Sequence, residues 1–316
     1  MTLDNILEEI KKAEKIVLLV HENPDGDAVG SAMAMHLALQ QLGKEADIII
    51  PDYPKCFEFL PSMDLVKAES DIANYDLAIS LDCATKKLLK DWVKYFDDAK
   101  TRIVIDHHGS NSMYGDLNFV DPKSPACAQL LVVIFNYFGI EITKEIGTCL
   151  LTGIITDTGG FAYSGVTEET FEFTARLVEK GINVSKIYQK VFSAMTVSRF
   201  KLNRIAMNRL ELLEDGKIAF TYITKKDELD VDAQSGDYEG IVAQGRNIEG
   251  VEVSVFLRET ENDIIKVSLR SKDYVNVSEV CVAFGGGGHP RAAGCNIQGT
   301  IESAKKQILS KIKEVI

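Results

Sequence analysis

The first third of the chain contains four short runs of largely apolar residues, each followed by a polar loop. They are Ile16–Val20, Ala46–Ile50, Leu77–Leu81 and Arg102–Ile105. Apolar residues at helical spacing precede the first run, at Thr2–Lys12, and follow it, at Ala28–Leu42. Strands that are apolar on both faces and alternate with helices are typical of a mostly parallel sheet covered by helices. The sequence therefore predicts an α/β fold.

The rest of the chain divides into a helical part and a part with strand-like patterns. Further helices are predicted at 126–138, 144–155 and 168–180. A long mixed segment without Gly or Pro, Lys186–Leu213, separates them from the predicted strands Ile218–Ile223, Val251–Leu257 and Ile264–Arg270. We therefore expect an N-terminal domain at 1–187, a helical linker at 188–212 and a smaller α/β domain at 213–316.

The chain is acidic, with 35 Lys and Arg against 47 Asp and Glu and a formal net charge of −12. Binding along nucleic acid depends on basic surface, so this balance disfavours long polymers but leaves room for one local phosphate site. The N-terminus has no signal-peptide pattern, and no apolar run approaches the roughly 18 residues of a membrane span. The six cysteines show no CxxC pair. We expect a cytoplasmic protein with free thiols and no membrane partner.

Acidic and histidine residues follow three of the predicted strands at their carboxyl ends, and a further acid follows the apolar segment Leu150–Ile155. In open α/β sheets, sites form in the crevice beyond that edge. Four of the five histidines lie in these loops or in a glycine-rich one. The other, His36, lies inside an apolar helix, and we interpret it as a residue that packs there or supports the site without contacting the ligand. The candidate site residues are His21, Asp25, Asp27, Asp82, Asp106, His107, His108 and Asp157.

A cluster of four carboxylates and two imidazoles is too charged to be buried without neutralisation, and two divalent cations would balance its four negative charges. Oxygen-rich ligands with some nitrogen favour Mn²⁺, with Mg²⁺ or Co²⁺ as alternatives, over structural zinc. Two neighbouring metal ions can bridge a hydroxide and hold a phosphoryl group. The sequence therefore predicts hydrolysis of phosphate esters.

These residues resemble a known superfamily. The segments His21-x-x-Pro24-Asp25-x-Asp27, Asp82, Asp106-His107-His108 and Asp157 resemble motifs I to IV of the DHH phosphoesterases. Phe284-Gly285-Gly286-Gly287-Gly288-His289, followed by Ala292-Ala293-Gly294, resembles the signature of the associated DHHA1 domain. The resemblance implies a DHH catalytic domain, a C-terminal DHHA1 substrate-binding domain and an active site in the cleft between them.

The resemblance also implies roles for individual residues. One metal ion would be held by His21, Asp25 and Asp82, and a second by Asp27, Asp82, His107 and Asp157, so that Asp82 bridges. His108 would face the scissile phosphate and stabilise its charge or protonate the leaving oxygen, oriented by Asp106. The substrate's terminal phosphate would be held by Arg270, Gly286, Gly287, Gly288 and His289, because a glycine run lets backbone N–H groups approach an anion.

Within the superfamily, the compact two-domain form resembles the nanoRNase group, which comprises oligoribonucleases that also act as pAp phosphatases. Its expected substrates are short RNA, pAp or dinucleotides. A stand-alone phosphodiesterase for cyclic di-AMP or pApA shares these motifs and is the alternative. A RecJ-like exonuclease or a non-catalytic nucleotide-binding module is disfavoured. Departures from the family pattern at Gln129, Gly165 and Ala243 could alter base or length preference, and the oligomeric state is left open, a homodimer included.

Overall fold

The computed structural model describes residues 3–163, 165–193, 195–234 and 236–316. The chain divides into two compact units, Met1–Ala194 and Met195–Ile316. No helix in the described part of the chain is both long enough and apolar enough to cross a lipid bilayer.

The first unit is an α/β layer structure. Its strands are β1 (Ile16–Leu19), β2 (Ala46–Ile49), β3 (Val66–Lys67), β4 (Leu77–Leu81), β5 (Thr101–Asp106) and β6 (Leu117–Val120). Its helices are α1 (Leu3–Lys12), α2 (Gly26–Gln41), α3 (Val93–Asp97), α4 (Cys127–Phe138), α5 (Lys144–Asp157), α6 (Glu168–Glu179) and α7 (Val184–Tyr188). The strands form one parallel sheet in the order β3-β2-β1-β4-β5-β6. The predicted fold class is confirmed.

The central strands are apolar throughout because both faces of the sheet are covered. Ile16 and Leu18 of β1 point into a large core formed with α1, α2, α4 and α5. Val17 and Leu19 point the other way, into a smaller core that includes Phe96 of α3. The edge strands β3 and β6 escape prediction because one has only two residues and the other is half-buried along its length.

Successive strands are added to one side of β1 first and to its other side afterwards. From β1 the sheet first grows through β2 to β3, and then continues from β4 on the other side of β1. This order opens a crevice at the carboxyl ends of β1 and β4, where ligands bind in doubly wound sheets. The topology therefore brings the loop after β1 next to the loop after β4.

Two glycines allow α2 and α5 to pack almost backbone to backbone. A Cβ at Gly30 would lie 2.5 Å from the carbonyl oxygen of Cys149, and one at Gly153 would lie 2.6 Å from Oδ1 of Asp27. Neither distance is compatible with a side chain. Because Gly30 and Gly153 have no side chains, α2 and α5 can approach closely enough for Asp27 and Asp157 to lie near each other.

The second unit is a mixed sheet with helices on both faces. Its strands are β7 (Glu211–Leu213), β8 (Ile218–Ile223), β9 (Val253–Glu259), β10 (Ile264–Ser271), β11 (Gly287–His289) and β12 (Ala292–Gln298). Its helices are α8 (Val197–Asn208), α9 (Lys225–Val231), α10 (Ile241–Arg246), α11 (Val277–Val282) and α12 (Ile301–Ile312). The order is β11-β12-β10-β9-β8-β7, with β8 and β9 parallel and the other pairs antiparallel.

Alternation along β9 and β10 separates the two faces of this second sheet. Val255 and Val267 lie in the core with α11 and α12, while Phe256 lies on the other face with α8 and α10. Leu202 and Ala206 of α8 are fully buried there. Part of the region predicted as a linker, 188–212, is therefore a packed helix of the second unit.

Candidate active site

The sequence-predicted ligands of the first unit converge at the crevice between β1 and β4. Oxygen and nitrogen atoms of one trio lie within 4.8 Å of one another, and the same holds for a second trio. The two trios are joined through Asp82, whose Oδ1 lies 3.4 Å from Nε2 of His107. The trios are His21, Asp25 and Asp82, and Asp27, His107 and Asp157.

Local structure explains why each acid lies where it does. Asp25 is the N-cap of α2, and its Oδ1 accepts hydrogen bonds from the backbone N–H of Asp27 at 2.9 Å and of Ala28 at 3.1 Å. Asp82 follows β4 directly. Asp157 is the last residue of α5 rather than a residue after a strand. The negative end of the helix dipole makes that position unfavourable for a carboxylate unless a cation is nearby.

Asp82 has two features of a ligand whose partner is not protein. Its carboxylate is 2% exposed, and Oδ1 has no hydrogen-bond partner among the described residues. Its backbone φ is 52°, a left-handed conformation that non-glycine residues rarely adopt. Buried carboxylate oxygens are expensive to leave unsatisfied, and strained residues cluster at functional sites. A bound cation would satisfy this oxygen.

His107 is oriented by a backbone carbonyl. Its Nδ1 lies 3.1 Å from the carbonyl oxygen of Ser124, which can only accept, so Nδ1 carries the proton. Nε2 then faces the acids, 3.1 Å from Oδ2 of Asp157 and 3.8 Å from Oδ2 of Asp27, and would offer its lone pair to a cation bound among them. Metal-binding histidines are usually oriented in this way, by a hydrogen bond from the ring nitrogen that does not bind the metal.

Asp27 is fully buried and is held by the N-terminus of α4. Its two oxygens accept hydrogen bonds from the backbone N–H groups of Cys127, at 2.5 Å, and Ala128, at 2.9 Å. The positive end of a helix dipole stabilises a carboxylate in this position. Asp27 therefore ties α2 to α4 and at the same time faces His107.

Repulsion among the acids perturbs their protonation. Loss of hydration, followed by the negative charges of Asp82 and Asp157, raises the pKa of Asp25 to about 7. The same causes raise the pKa of Asp27 well above its usual range. Burial opposes a charge on His107, but the nearby carboxylates of Asp157 and Asp82 outweigh it and raise the pKa of His107 to about 12. Divalent cations would remove this repulsion, so the donor set fits them.

The raised pKa values predict how the stability of the chelated protein depends on pH. The pKa of Asp25 is about 7 in the fold against about 3.9 in an unfolded chain, so the folded state keeps a proton that the unfolded state loses. The free energy of unfolding then falls as pH rises through that window. The raised pKa of His107 acts in the same direction above about 6.5, while the pKa of His21, lowered by burial, acts against it.

In excess chelator, we therefore expect the Tm to fall between pH 5 and pH 8. Because Asp25 is exposed and water screens its interactions, the fall should be smaller than the roughly 3–5 °C per pH unit that a full difference of one bound proton would give. Saturating Mn²⁺ should abolish most of the fall. Differential scanning calorimetry with and without metal checks this, and a Tm that rises across this window in chelator would contradict it.

His108 forms a hydrogen-bonded chain that the sequence predicts only in part. Nδ1 of His108 donates to Oδ1 of Asp106 at 2.8 Å. The other oxygen of Asp106 accepts from Nδ2 of Asn111 at 2.6 Å, and the same amide donates to the carbonyl of Cys83 at 3.3 Å. The hydrogen bond to Asp106 raises the pKa of His108. Asn111 thus links the loop after β5 to the turn after Asp82.

Two of the residues predicted in the second unit, Arg270 and His289, share one face of its sheet. Arg270 pairs with Ala292, and Ala292 pairs with His289 on the adjacent strand. Directly paired residues point to the same face, so Arg270 and His289 lie in one row two strands apart, about 10 Å. Gly286 packs so closely on Cys295 that its Cβ would lie 2.5 Å from that of the cysteine. A place for these residues in a cleft with the first unit stays a prediction.

Sequence reasoning misses the groups that position the predicted residues. The Ser124 carbonyl, the N–H groups of Cys127 and Ala128, and the amide of Asn111 have no motif of their own. His36 is buried within α2 beside Gln40, in agreement with its interpretation as a packing residue. None of the six cysteines, all of which lie in the described part of the chain, forms a disulfide.

Comparison with known proteins identifies the class. The model of the DHH family, N-terminal domain, matches residues 15–154, and that of the DHHA1 domain matches residues 215–316. The chain therefore belongs to the DHH family, as its motifs indicate. It is a phosphoester hydrolase of a metal-dependent family. The predictions that the chain is a hydrolase and that its family depends on metal ions are therefore confirmed.

Named relatives resemble the chain over almost its whole length. It is 32% identical over 314 residues to the bifunctional oligoribonuclease and PAP phosphatase NrnA of Thermus thermophilus, covering 98% of this chain and 93% of that protein. With the protein of the same name from Bacillus subtilis it shares 28% identity over 298 residues, 92% of each chain. The crystal structure of an exopolyphosphatase-related protein from Bacteroides fragilis has a TM-score of 0.92 and 28% identity, covering 99% of this chain and 95% of that one.

Proposed function

We propose that this chain hydrolyses short oligoribonucleotides to nucleoside 5′-monophosphates, and pAp to AMP and phosphate. The convergence of four carboxylates and two imidazoles at one crevice supports it most directly. The activities named for the relatives from Thermus thermophilus and Bacillus subtilis support the choice of substrate. In both reactions water attacks phosphorus and a nucleoside 3′-oxygen leaves, so one site can serve both.

The proposed ligands are His21, Asp25 and Asp82 for one divalent ion, and Asp27, Asp82, His107 and Asp157 for a second. Carboxylates with two imidazoles suit Mn²⁺, with Mg²⁺ or Co²⁺ as alternatives. Bound there, the ions would stabilise charge on the phosphoryl oxygens and lower the pKa of water. Oδ1 of Asp82 accepts no hydrogen bond within the part of the chain that the structure describes, and this supports its role as the shared ligand.

His108 is proposed as the general acid. Because Asp106 accepts from Nδ1 and raises the pKa of the ring, it favours the doubly protonated form of His108, which can donate a proton from Nε2 to the leaving 3′-oxygen. Asp106 positions the ring. Asn111 positions Asp106 in turn.

The substrate's terminal phosphate is proposed to bind the second unit. Arg270 and His289 supply charged or polar side chains from one face of its sheet. Gly286, Gly287 and Gly288 have no Cβ and would let an anion approach the backbone beside them. The N–H of Gly286 itself donates to the Cys281 carbonyl at 3.0 Å. The net charge of −12 is in keeping with short substrates rather than long polymers. A cytoplasmic location, where such substrates arise, completes the proposal.

The test is hydrolysis of pAp and of labelled RNA of two to five nucleotides with Mn²⁺, with and without chelator. We expect both to be cleaved, and chelation to abolish cleavage. pApA and cyclic di-AMP serve as comparison substrates for the less favoured alternative. Nucleotide binding without cleavage, or a preference for pyrophosphate or long single-stranded DNA, would overturn the proposal.

A further inference from the structure

The segment that follows Asp157 exposes aromatic rings that the proposed chemistry does not use. Among the described residues, seven Phe and Tyr side chains are exposed, and four of them lie between residues 163 and 192. These four and the half-buried Phe161 form the post-Asp157 aromatic cluster. Its members are Phe161, Tyr163, Phe171, Tyr188 and Phe192.

Two glycines next to Asp157 allow the rings of Tyr163 and Tyr188 to pack directly on the backbone. Gly159 and Gly160 have φ values of 58° and 70°. A Cβ at Gly159 would lie 2.5–2.8 Å from ring atoms of Tyr163, and one at Gly160 would lie 2.9 Å from Cε2 of Tyr188. The rings therefore cover bare backbone within three residues of the Asp157 carboxylate.

The other rings of the cluster are paired. The Phe161 and Phe171 centroids are 5.5 Å apart with an interplanar angle of 30°, and those of Tyr188 and Phe192 are 4.9 Å apart at 55°. Tyr163, which rests on Gly159, is 59% exposed, and Phe171 is 55% exposed. Exposed aliphatic surface would suit many partners, whereas a group of aromatic rings suits flat π-systems.

A buried threonine fixes the turn. Oγ1 of Thr158 donates to the carbonyl of Ile154 at 2.6 Å and accepts from the Phe161 N–H at 3.1 Å. Its carbonyl oxygen accepts from the N–H groups of Ala162, at 2.9 Å, and Tyr163, at 3.1 Å. The backbone of Tyr163 is thus hydrogen-bonded to the immediate neighbour of Asp157. A surface already held in place costs little to order on binding.

We propose that the post-Asp157 aromatic cluster, with Tyr163 at its centre, stacks against a nucleobase of the oligoribonucleotide whose phosphodiester lies at the Asp157 site. This inference rests on the proposed function and adds a base-binding subsite to it. Stacking tolerates any base, because every base has a π-face, and so suits an enzyme that degrades short RNA without regard to sequence. A second copy of the chain, or its own second unit, is an alternative occupant that the test separates.

The test compares a dinucleotide with its abasic counterpart, which has the same phosphodiester but no bases. Tyr163→Leu should raise the KM for the dinucleotide ~10-fold, in the range of one lost stacking contact, with kcat within about twofold. The KM for the abasic substrate should not change. Tyr163→Phe should behave like the wild type, since it keeps the ring. Tyr137→Leu, at a 54% exposed tyrosine of α4, is the matched control.

A direct measurement uses a hydrolysis-resistant dinucleotide that carries 2-aminopurine, whose fluorescence is quenched when it stacks. The wild type should quench it, and Tyr163→Leu and Phe171→Leu should quench it less. If the wild type cleaves neither pAp nor RNA but this quenching depends on Tyr163, the proposed function fails while the stacking subsite stands.

The proposal is overturned if Tyr163→Leu leaves the dinucleotide KM unchanged, or raises it equally for the abasic substrate. Sedimentation velocity supplies a further criterion. A change of oligomeric state in Tyr163→Leu, with equal losses on both substrates, would assign the cluster to an interface between copies. An equal loss without that change would assign it to packing within the chain.

Discussion

Asp82→Asn should abolish bound metal and reduce kcat/KM by at least ~10³-fold, since even groups that only orient metal ligands cost 10–100-fold. Asp82 is the residue through which the two trios meet, and its Oδ1 accepts no hydrogen bond from the described residues. The metal content per chain, by titration calorimetry with Mn²⁺, and the hydrolysis of pAp are the two measurements.

In chelator, the Tm of the same variant should depend less on pH than the Tm of the wild type. The charge of Asp82 raises the pKa of Asp25, Asp27 and His107, so removing it brings these pKa values closer to those of an unfolded chain. Asp64→Asn makes the same change at an exposed acid outside the trios and should alter neither property. An Asp82→Asn protein that binds two Mn²⁺ with wild-type affinity would contradict the assignment of a shared ligand.

The core of the first unit and the acids at its sheet edge are predictable because both follow from burial. Strands such as Leu77–Leu81, covered on both faces, leave a continuous apolar run in the sequence, and the polar residue after the run marks the sheet edge. Asp82, His21 and the Asp106-His107-His108 segment are predictable in this way, because each follows such an apolar run.

The supporting groups could not be predicted, because they are backbone atoms or distant side chains. The Ser124 carbonyl orients His107 across 17 residues of sequence, and the N–H of Ala128 reaches Asp27 across 101. Asp157 ends a helix rather than following a strand, which an apolar run alone does not distinguish. Helix α8 looked like a linker because its mixed pattern hides two buried residues, Leu202 and Ala206.

Four of the acidic residues of the chain lie together at this site. Four of its negative charges gather where two of them already have raised pKa values, and this arrangement is stable only with cations or bound protons. A bound pair of divalent ions would also turn the crevice from repelling a phosphate to attracting it. We therefore expect the local charge, rather than the net charge, to govern the binding of a phosphate group.

His108→Ala should retain both metal ions and lose about 10²–10⁴-fold in kcat on a dinucleotide, the usual contribution of a general acid. Its Nδ1 donates to Asp106, which leaves Nε2 as the nitrogen able to protonate the leaving 3′-oxygen. Asn111→Ala, which frees Asp106 from its 2.6 Å hydrogen bond, should lose about 10–100-fold, as is typical for groups that orient a functional residue.

A substrate whose leaving group needs no proton separates acid catalysis from other roles. On a nucleoside p-nitrophenyl phosphate, His108→Ala should lose far less of its kcat than on the dinucleotide, because p-nitrophenolate leaves unprotonated. Met113→Ala, at a 53% exposed side chain two residues beyond Asn111, is the control and should match the wild type on both substrates. Near-normal dinucleotide turnover by a metal-loaded His108→Ala would refute the assignment, and loss of metal would instead make His108 a ligand.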